Sequence, residues 1–203
     1  MDIREFEGIP TGNVCDSNNR MGAMDPGIQA LDRHMTVVGR AFPVECAPGD
    51  NLTIHKAVLE AQPGDVLVVN CGGFLHAGGF GELLATACRA RGIAGIVIDG
   101  ACRDKNELIE MNFPTFVRAT CPNGTVKEYC GRTNVPMVCG GLLVSPGDVI
   151  IGDCDGVVVI PKNKAPEVLE KSKAKKAFED DIRVKLEQGI TTAELFNLTE
   201  KFH

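Results

Sequence analysis

Arg103 and Asp104 are the adjacent pair whose types and placement could do chemistry. They follow the apolar run Ile96-Val97-Ile98-Asp99-Gly100, which predicts a buried strand. A guanidinium presents paired donors to a planar oxyanion, and a carboxylate beside it can hold a hard divalent cation. Together they suit a 2-oxo acid whose enolate needs stabilising. Upstream, residues 71–81 form a glycine-rich stretch between a predicted strand and a predicted helix. Such a loop offers backbone N–H groups and the positive end of a helix dipole to a small carboxylate. Glu82 falls in the first turn of that helix. Plainer readings stand beside these. The glycines could serve tight turns, Arg103 and Asp104 could be a surface ion pair with Asp104 capping a helix, and Glu82 could simply favour the dipole. Position joins them: ligands of open α/β sheets bind beyond the carboxyl ends of strands, and both segments leave strands there.

Other chemistries find less support. The stretch Gly79-Phe80-Gly81-Glu82-Leu83-Leu84 misses the dinucleotide fingerprint, and no P-loop or G-x-S-x-G is present. His76 lies in the glycine-rich segment and could assist proton transfer, or be solvated. His34 and His55 sit in no sequence cluster and His203 is terminal, which disfavours a histidine-rich metal site. Lys56 or Lys105 could form a Schiff base, but neither has a context that marks it as desolvated. Asp153-Cys154-Asp155-Gly156 reads as a hairpin turn.

The elements that must position these residues alternate. A helix is expected over 11–22 with Thr11 as its cap, a strand over 36–46, a helix from the Asp50-Asn51 cap to about Gln62, and a strand over 66–70. A loop of residues 71–79 should lead to a helix over 80–91, ended by Gly92. Strand 94–99, a helix capped near Asp104 and strand 115–119 follow. Residues 126–160 carry short β-rich runs. A long helix over about 164–188, with Val168, Leu169, Phe178, Ile182 and Leu186 as its apolar stripe, precedes a capping box at Thr191-Thr192-Ala193-Glu194. Pro-Gly-Asp occurs at 48–50, 63–65 and 146–148, which turn chemistry alone explains. The order is that of an α/β fold, read as one domain over 1–203 with its C-terminal helical segment at about 164–198.

Composition sets bounds. Only 5% of residues are aromatic and there is no Trp, so the core is expected to be aliphatic and base stacking is disfavoured. The net charge of −6 also argues against nucleic acid as a partner. No apolar run approaches the ~18 residues of a membrane span, and the N-terminus does not read as a secretion signal. The cysteine count is odd, at 9, with no Cys-x-x-Cys. These read as small buried residues in a reducing, cytoplasmic setting.

Several blocks resemble one known pattern. They are Gly81-Glu82-Leu83-Leu84-Ala85, then Gly95-Ile96-Val97-Ile98-Asp99-Gly100 with Arg103-Asp104, then Phe113-Pro114-Thr115-Phe116, Gly140-Gly141 with Pro146-Gly147-Asp148, and the run from Gly152 to Pro161. In that order, over about residues 48–190, they resemble the 4-hydroxy-4-methyl-2-oxoglutarate aldolases and the related regulator of ribonuclease activity A. The resemblance implies a compact swivelling-domain-like β-sandwich core flanked by helices, with a long C-terminal helix. It implies a homotrimer or homohexamer with sites between subunits. It also implies a divalent-metal-dependent aldolase that acts on a small 2-oxo acid, releases pyruvate and decarboxylates oxaloacetate. Carried over by position, Asp104 would ligate Mg²⁺ or Mn²⁺, Arg103 would hold the pyruvate oxygens, and Glu82 would orient waters on the metal. The amides of Gly81, Glu82, Leu83 and Leu84 would take the carboxylate, and Glu179 of a neighbouring subunit would complete the site. Glu107, three residues after Asp104, matches the enzyme branch. Asn70-Cys71 and Cys154 depart from the pattern and leave the substrate's identity open. The alternatives are a non-enzymatic ring that binds a protein, and a related 2-oxo-acid lyase.

Overall fold

The computed structural model describes residues 1–202; His203 lies outside the described residues. Its centre is a seven-stranded mixed sheet. The strands are β1 (Gln29–Ala30), β2 (Val37–Glu45), β3 (Asp65–Gly78), β4 (Gly95–Cys102), β5 (Thr115–Thr120), β8 (Val149–Asp153) and β9 (Gly156–Ile160), in the order β1-β5-β4-β3-β2-β8-β9. Strands β2 to β5 are mutually parallel, and β1, β8 and β9 add antiparallel edges. A hairpin of β6 (Met137–Cys139) and β7 (Leu142–Val144) forms a small separate sheet.

The parallel strands are joined by helices α2 (Leu52–Glu60), α3 (Glu82–Ala90) and α4 (Lys105–Glu110). Alternation along the strands sorts the core. Leu67, Val69, Ile96 and Ile98 face the three helices, where Ile54, Leu84 and Leu108 are buried with them. Val66, Val68 and Val97 face the other way and pack with Phe116, Met137 and Val144 under the small hairpin. A third cluster joins β8 and β9 to Val14 of α1 (Thr11–Ser17) and to Val168 and Leu169 of α5 (Ala165–Glu187). The layers are thus helices, main sheet and hairpin, an α/β architecture with a long C-terminal helix and an aliphatic core.

Several sequence expectations need correction. The helix expected over 11–22 stops at Ser17, because Asn19 and Arg20 take positive φ values of 58° and 59°. Thr11 is not its cap. It is the first helical residue, and its N–H and hydroxyl both donate to Asp153, the last residue of β8. A residue 142 positions away satisfies the helix end, so local sequence could not reveal it. Residues 71–78 are not a loop: β3 continues to Gly78 through two register shifts, with Gly72 and Gly73 bulged at positive φ. The stripe on α5 is fully buried only in the first third, at Val168 and Leu169; Ile182 and Leu186 are half-buried and Phe178 is exposed. The capping box is present, and α6 (Thr192–Leu195) follows it.

Asp50 locks the turn after β2. Its buried carboxylate accepts backbone N–H bonds from Leu52 at 2.7 Å, Glu128 at 2.7 Å and Tyr129 at 2.8 Å. Burial alone would raise its pKa; the three donors outweigh this and hold it below the usual carboxylate range. A depressed folded pKa gives stability that is present above the ordinary unfolded value of about 3.9 and is lost as pH falls through the folded one. Asp50→Ala strands these donors and should lower unfolding free energy by about 3 kcal/mol in urea titration. The deficit should shrink in acid. A deficit that stayed constant down to the acid limit would show that the charge is not the cause.

Candidate active site

Three consecutive parallel strands deliver the site. After β4 come Arg103 and Asp104, after β3 comes the turn Gly79-Phe80-Gly81, and after β2 come Asn51 and the first turns of α2. Backbone bonds clamp the turns together: Gly79 N–H donates to Ala101 O at 3.0 Å and Arg103 N–H to Phe80 O at 2.8 Å. The result is a cavity of about 180 Å³ at the carboxyl ends of the strands. Arg103, Asp104, Gly81, Leu83 and Leu84 line it, and so do Asn51, His55, Thr125 and Lys127.

Asp104 sits at the N-cap position of α4 but does not cap it. Its φ of 57° puts a non-glycine residue in the left-handed region, at a cost of about 1 kcal/mol or more. The carboxylate turns away and accepts the Glu82 N–H at 3.0 Å through Oδ2, with Arg103 Nε 3.6 Å from the same oxygen. Oδ1 has no protein hydrogen bond among the described residues. The cap reading of Asp104 is therefore corrected, and the ion pair with Arg103 holds.

The glycines are required by close approach. A Cβ on Gly81 would overlap Asp104 Oδ2 and stand 3.1 Å from Arg103 Cγ; one on Gly78 would come within 2.8 Å of Arg103 Cβ. α3 begins directly behind Gly81 and has no side-chain cap, so the free first-turn amides, including those of Leu83 and Leu84, are available to an anion. Leu83 is 76% exposed at the mouth.

Other expected residues lie elsewhere. Glu82 gives Asp104 its backbone N–H, while its side chain accepts from the Thr86 hydroxyl at 3.2 Å. Glu107 is exposed in the first turn of α4. Glu179 on α5 accepts from Asn13 at 2.7 Å and pairs with Lys175 at 3.3 Å within its own chain. His76 is exposed with its ring against Phe74, outside the cavity lining. Lys56 pairs with Glu60 at 3.8 Å and Lys105 is exposed, so neither is desolvated as a Schiff-base lysine needs to be.

Sequence reading missed Asn51, His55 and Lys127. Asn51 is the N-cap residue of a helix that follows a strand and His55 lies one turn on, a spacing that brings the two together. Nothing in the sequence marks Lys127. It arrives because Val126 N–H donates to Gly49 O and the Glu128 and Tyr129 amides bind Asp50.

No group of three or more His, Cys, Asp or Glu side chains gathers to hold a metal among the described residues. An ion enclosed by protein ligands, as in structural zinc sites, does not fit. A hydrated hard cation held by one carboxylate does, since Mg²⁺ keeps several waters, and Asp104 Oδ1 is open for it.

A mixed α/β sheet with a carboxylate, a guanidinium and free helix amides at the ends of its parallel strands defines the class: an α/β protein whose site has the geometry to take a small anion. Residues 11–159 match the RraA-like family, described as Aldolase/RraA, and the chain belongs to it. A protein of Halalkalibacterium halodurans named "Putative 4-hydroxy-4-methyl-2-oxoglutarate aldolase" is 41% identical over 178 residues, covering 88% of this chain and 85% of the relative. A Thermus thermophilus protein named 4-hydroxy-4-methyl-2-oxoglutarate aldolase is 35% identical over 113 residues, which cover 56% of this chain and 69% of that one. Among solved structures, Streptomyces coelicolor RraAS2, described as an unusual member of the RNase ES inhibitor RraA protein family, superposes with a TM-score of 0.82 at 29% identity. That match covers 90% of this chain and 96% of the other. No helix among the described residues is long and apolar enough to cross a membrane.

Proposed function

We propose that this protein is a divalent-metal-dependent aldolase that cleaves a 4-hydroxy-2-oxo acid, such as 4-hydroxy-4-methyl-2-oxoglutarate, to pyruvate, and that it also decarboxylates oxaloacetate. The observation that carries this reading is Asp104, held in a left-handed conformation beside Arg103 with one carboxylate oxygen open at the cavity. The aldolase names of the relatives support it.

Asp104 would hold Mg²⁺ or Mn²⁺ directly, with Glu82 reaching it through water. Bound there, the ion supplies Lewis-acid polarisation of the 2-oxo group. The chain's own residues do the rest. The amides at the start of α3 seat the substrate carboxylate. Arg103 donates to the 2-oxo oxygen, and its charge counts most as that oxygen becomes an enolate. Cleavage of the C3–C4 bond of a hydroxy acid and loss of CO₂ from oxaloacetate give the same enolate, so one site serves both. The same reading takes the active form as a homotrimer or homohexamer, which sedimentation would measure.

Chelation is the direct test. Excess EDTA should abolish pyruvate release from both substrates, and added Mg²⁺ or Mn²⁺ should restore it. Turnover that survives chelation would remove the metal from the mechanism. A second reading, a non-enzymatic ring that binds a protein partner, is favoured by the likeness to RraAS2. It predicts no metal-dependent turnover in the same assay.

A further inference from the structure

The cavity has two unlike walls. Arg103 and the α3 amides supply donors. On the α2 side, two buried side-chain atoms have no hydrogen-bond partner among the described residues: Asn51 Oδ1 and His55 Nε2. Asn51 is only 7% exposed, and its orientation is set, because Nδ2 donates to Gly79 O at 2.9 Å. Its Oδ1 is therefore the free end. An unpartnered buried acceptor is costly, and two on residues that line one small cavity call for a ligand that donates.

Building on the aldolase reading, we infer that Asn51 Oδ1 and His55 Nε2 together receive the C4 hydroxyl of the substrate, and that His55 takes its proton in the cleavage step. Before cleavage the hydroxyl hydrogen is shared between the two acceptors. Then the proton passes to Nε2, and the O–H electron pair becomes the second bond of a new C4 carbonyl. The C3–C4 bond breaks and its pair forms the C2–C3 double bond, while the carbonyl pair at C2 moves onto its oxygen beside Arg103. The imidazolium returns the proton to C3, which yields pyruvate and a second carbonyl compound. Atoms and charge balance without any further reactant. Asn51 is a positioning residue here, since an amide oxygen cannot keep the proton.

The surroundings suit this role. Burial first, and then the positive charge of Lys127, hold the His55 pKa below its usual value. The imidazole thus enters the reaction neutral, with a lone pair to offer. Asn51 is the N-cap of α2 and His55 lies in its first turn, with the His55 N–H donating to Asn51 O at 3.2 Å, so that turn sets their spacing.

Oxaloacetate separates this inference from the reading beneath it, because losing CO₂ requires no hydroxyl deprotonation. His55→Gln removes no hydrogen bond made by Nε2 and should fold. In Mg²⁺, its cleavage of 4-hydroxy-4-methyl-2-oxoglutarate should fall about 10²–10⁴-fold, the range of general-base catalysis, with oxaloacetate decarboxylation reduced less than about tenfold. Calorimetry should show that the variant still binds oxalate, a planar mimic of the enolate. Asn51→Ala should show the same selectivity with a smaller loss. Equal loss of both reactions, loss of oxalate binding, or undiminished cleavage in His55→Gln would each overturn the role of His55 and leave the aldolase standing. A wild-type protein inactive on both substrates would overturn both.

Discussion

Arg103→Ala should lower the rate of pyruvate release about 10²–10³-fold, the typical result of removing one donor from a developing oxyanion. The guanidinium flanks the cavity with its side chain 45% exposed, so its removal costs the fold little. Its contribution grows as charge moves onto the 2-oxo oxygen, so kcat should fall more than KM rises. Arg103→Lys should recover only part of the rate, since an ammonium keeps the charge but lacks the planar fork. Asp104→Ala should reach or exceed the same loss and should also weaken the response to added Mg²⁺. A coupled pyruvate assay with hydroxy acid and oxaloacetate measures all three variants. Wild-type turnover in Arg103→Ala would dissolve the proposed site.

Gly81→Ala should be nearly as damaging although it adds one methyl group and removes nothing. The new carbon would occupy the space of Asp104 Oδ2 and press on Arg103 Cγ at 3.1 Å. Asp104 would then have to give up the Glu82 N–H that orients it. Gly81 itself has a φ of −162°, an ordinary extended value, so the alanine strains no backbone. The expected result is about a 10²-fold loss of activity, as for a catalytic group displaced by roughly 1 Å, in a protein with a near-normal melting temperature. A fully active Gly81→Ala would show that the contact between the two turns is not needed.

Much of this is legible in the sequence. The strand ending in Arg103 and Asp104, the helix opened by Glu82 and the hairpin at Asp153 follow from short-range pattern, because apolar periodicity and turn residues act over a few positions. The order of strands and helices made the carboxyl ends of the parallel strands the place to look. His76 was the histidine that sequence singled out, since it neighbours the site segment. The structure turns that residue outward and brings in His55 from 48 positions before Arg103, on a helix whose strand lies next but one to β4.

What the sequence determined by itself was which elements form and which pair of residues is chemically unusual, because both depend on neighbours along the chain. Only the tertiary structure decided that Asp104 turns from its own helix to the backbone of Glu82, that Asp153 completes the start of α1, and that Asn51 and Lys127 share a cavity with Arg103. These depend on strand order and on the close approach that glycine permits between turns. Neither leaves a local signature, because the partners meet only once the sheet has assembled.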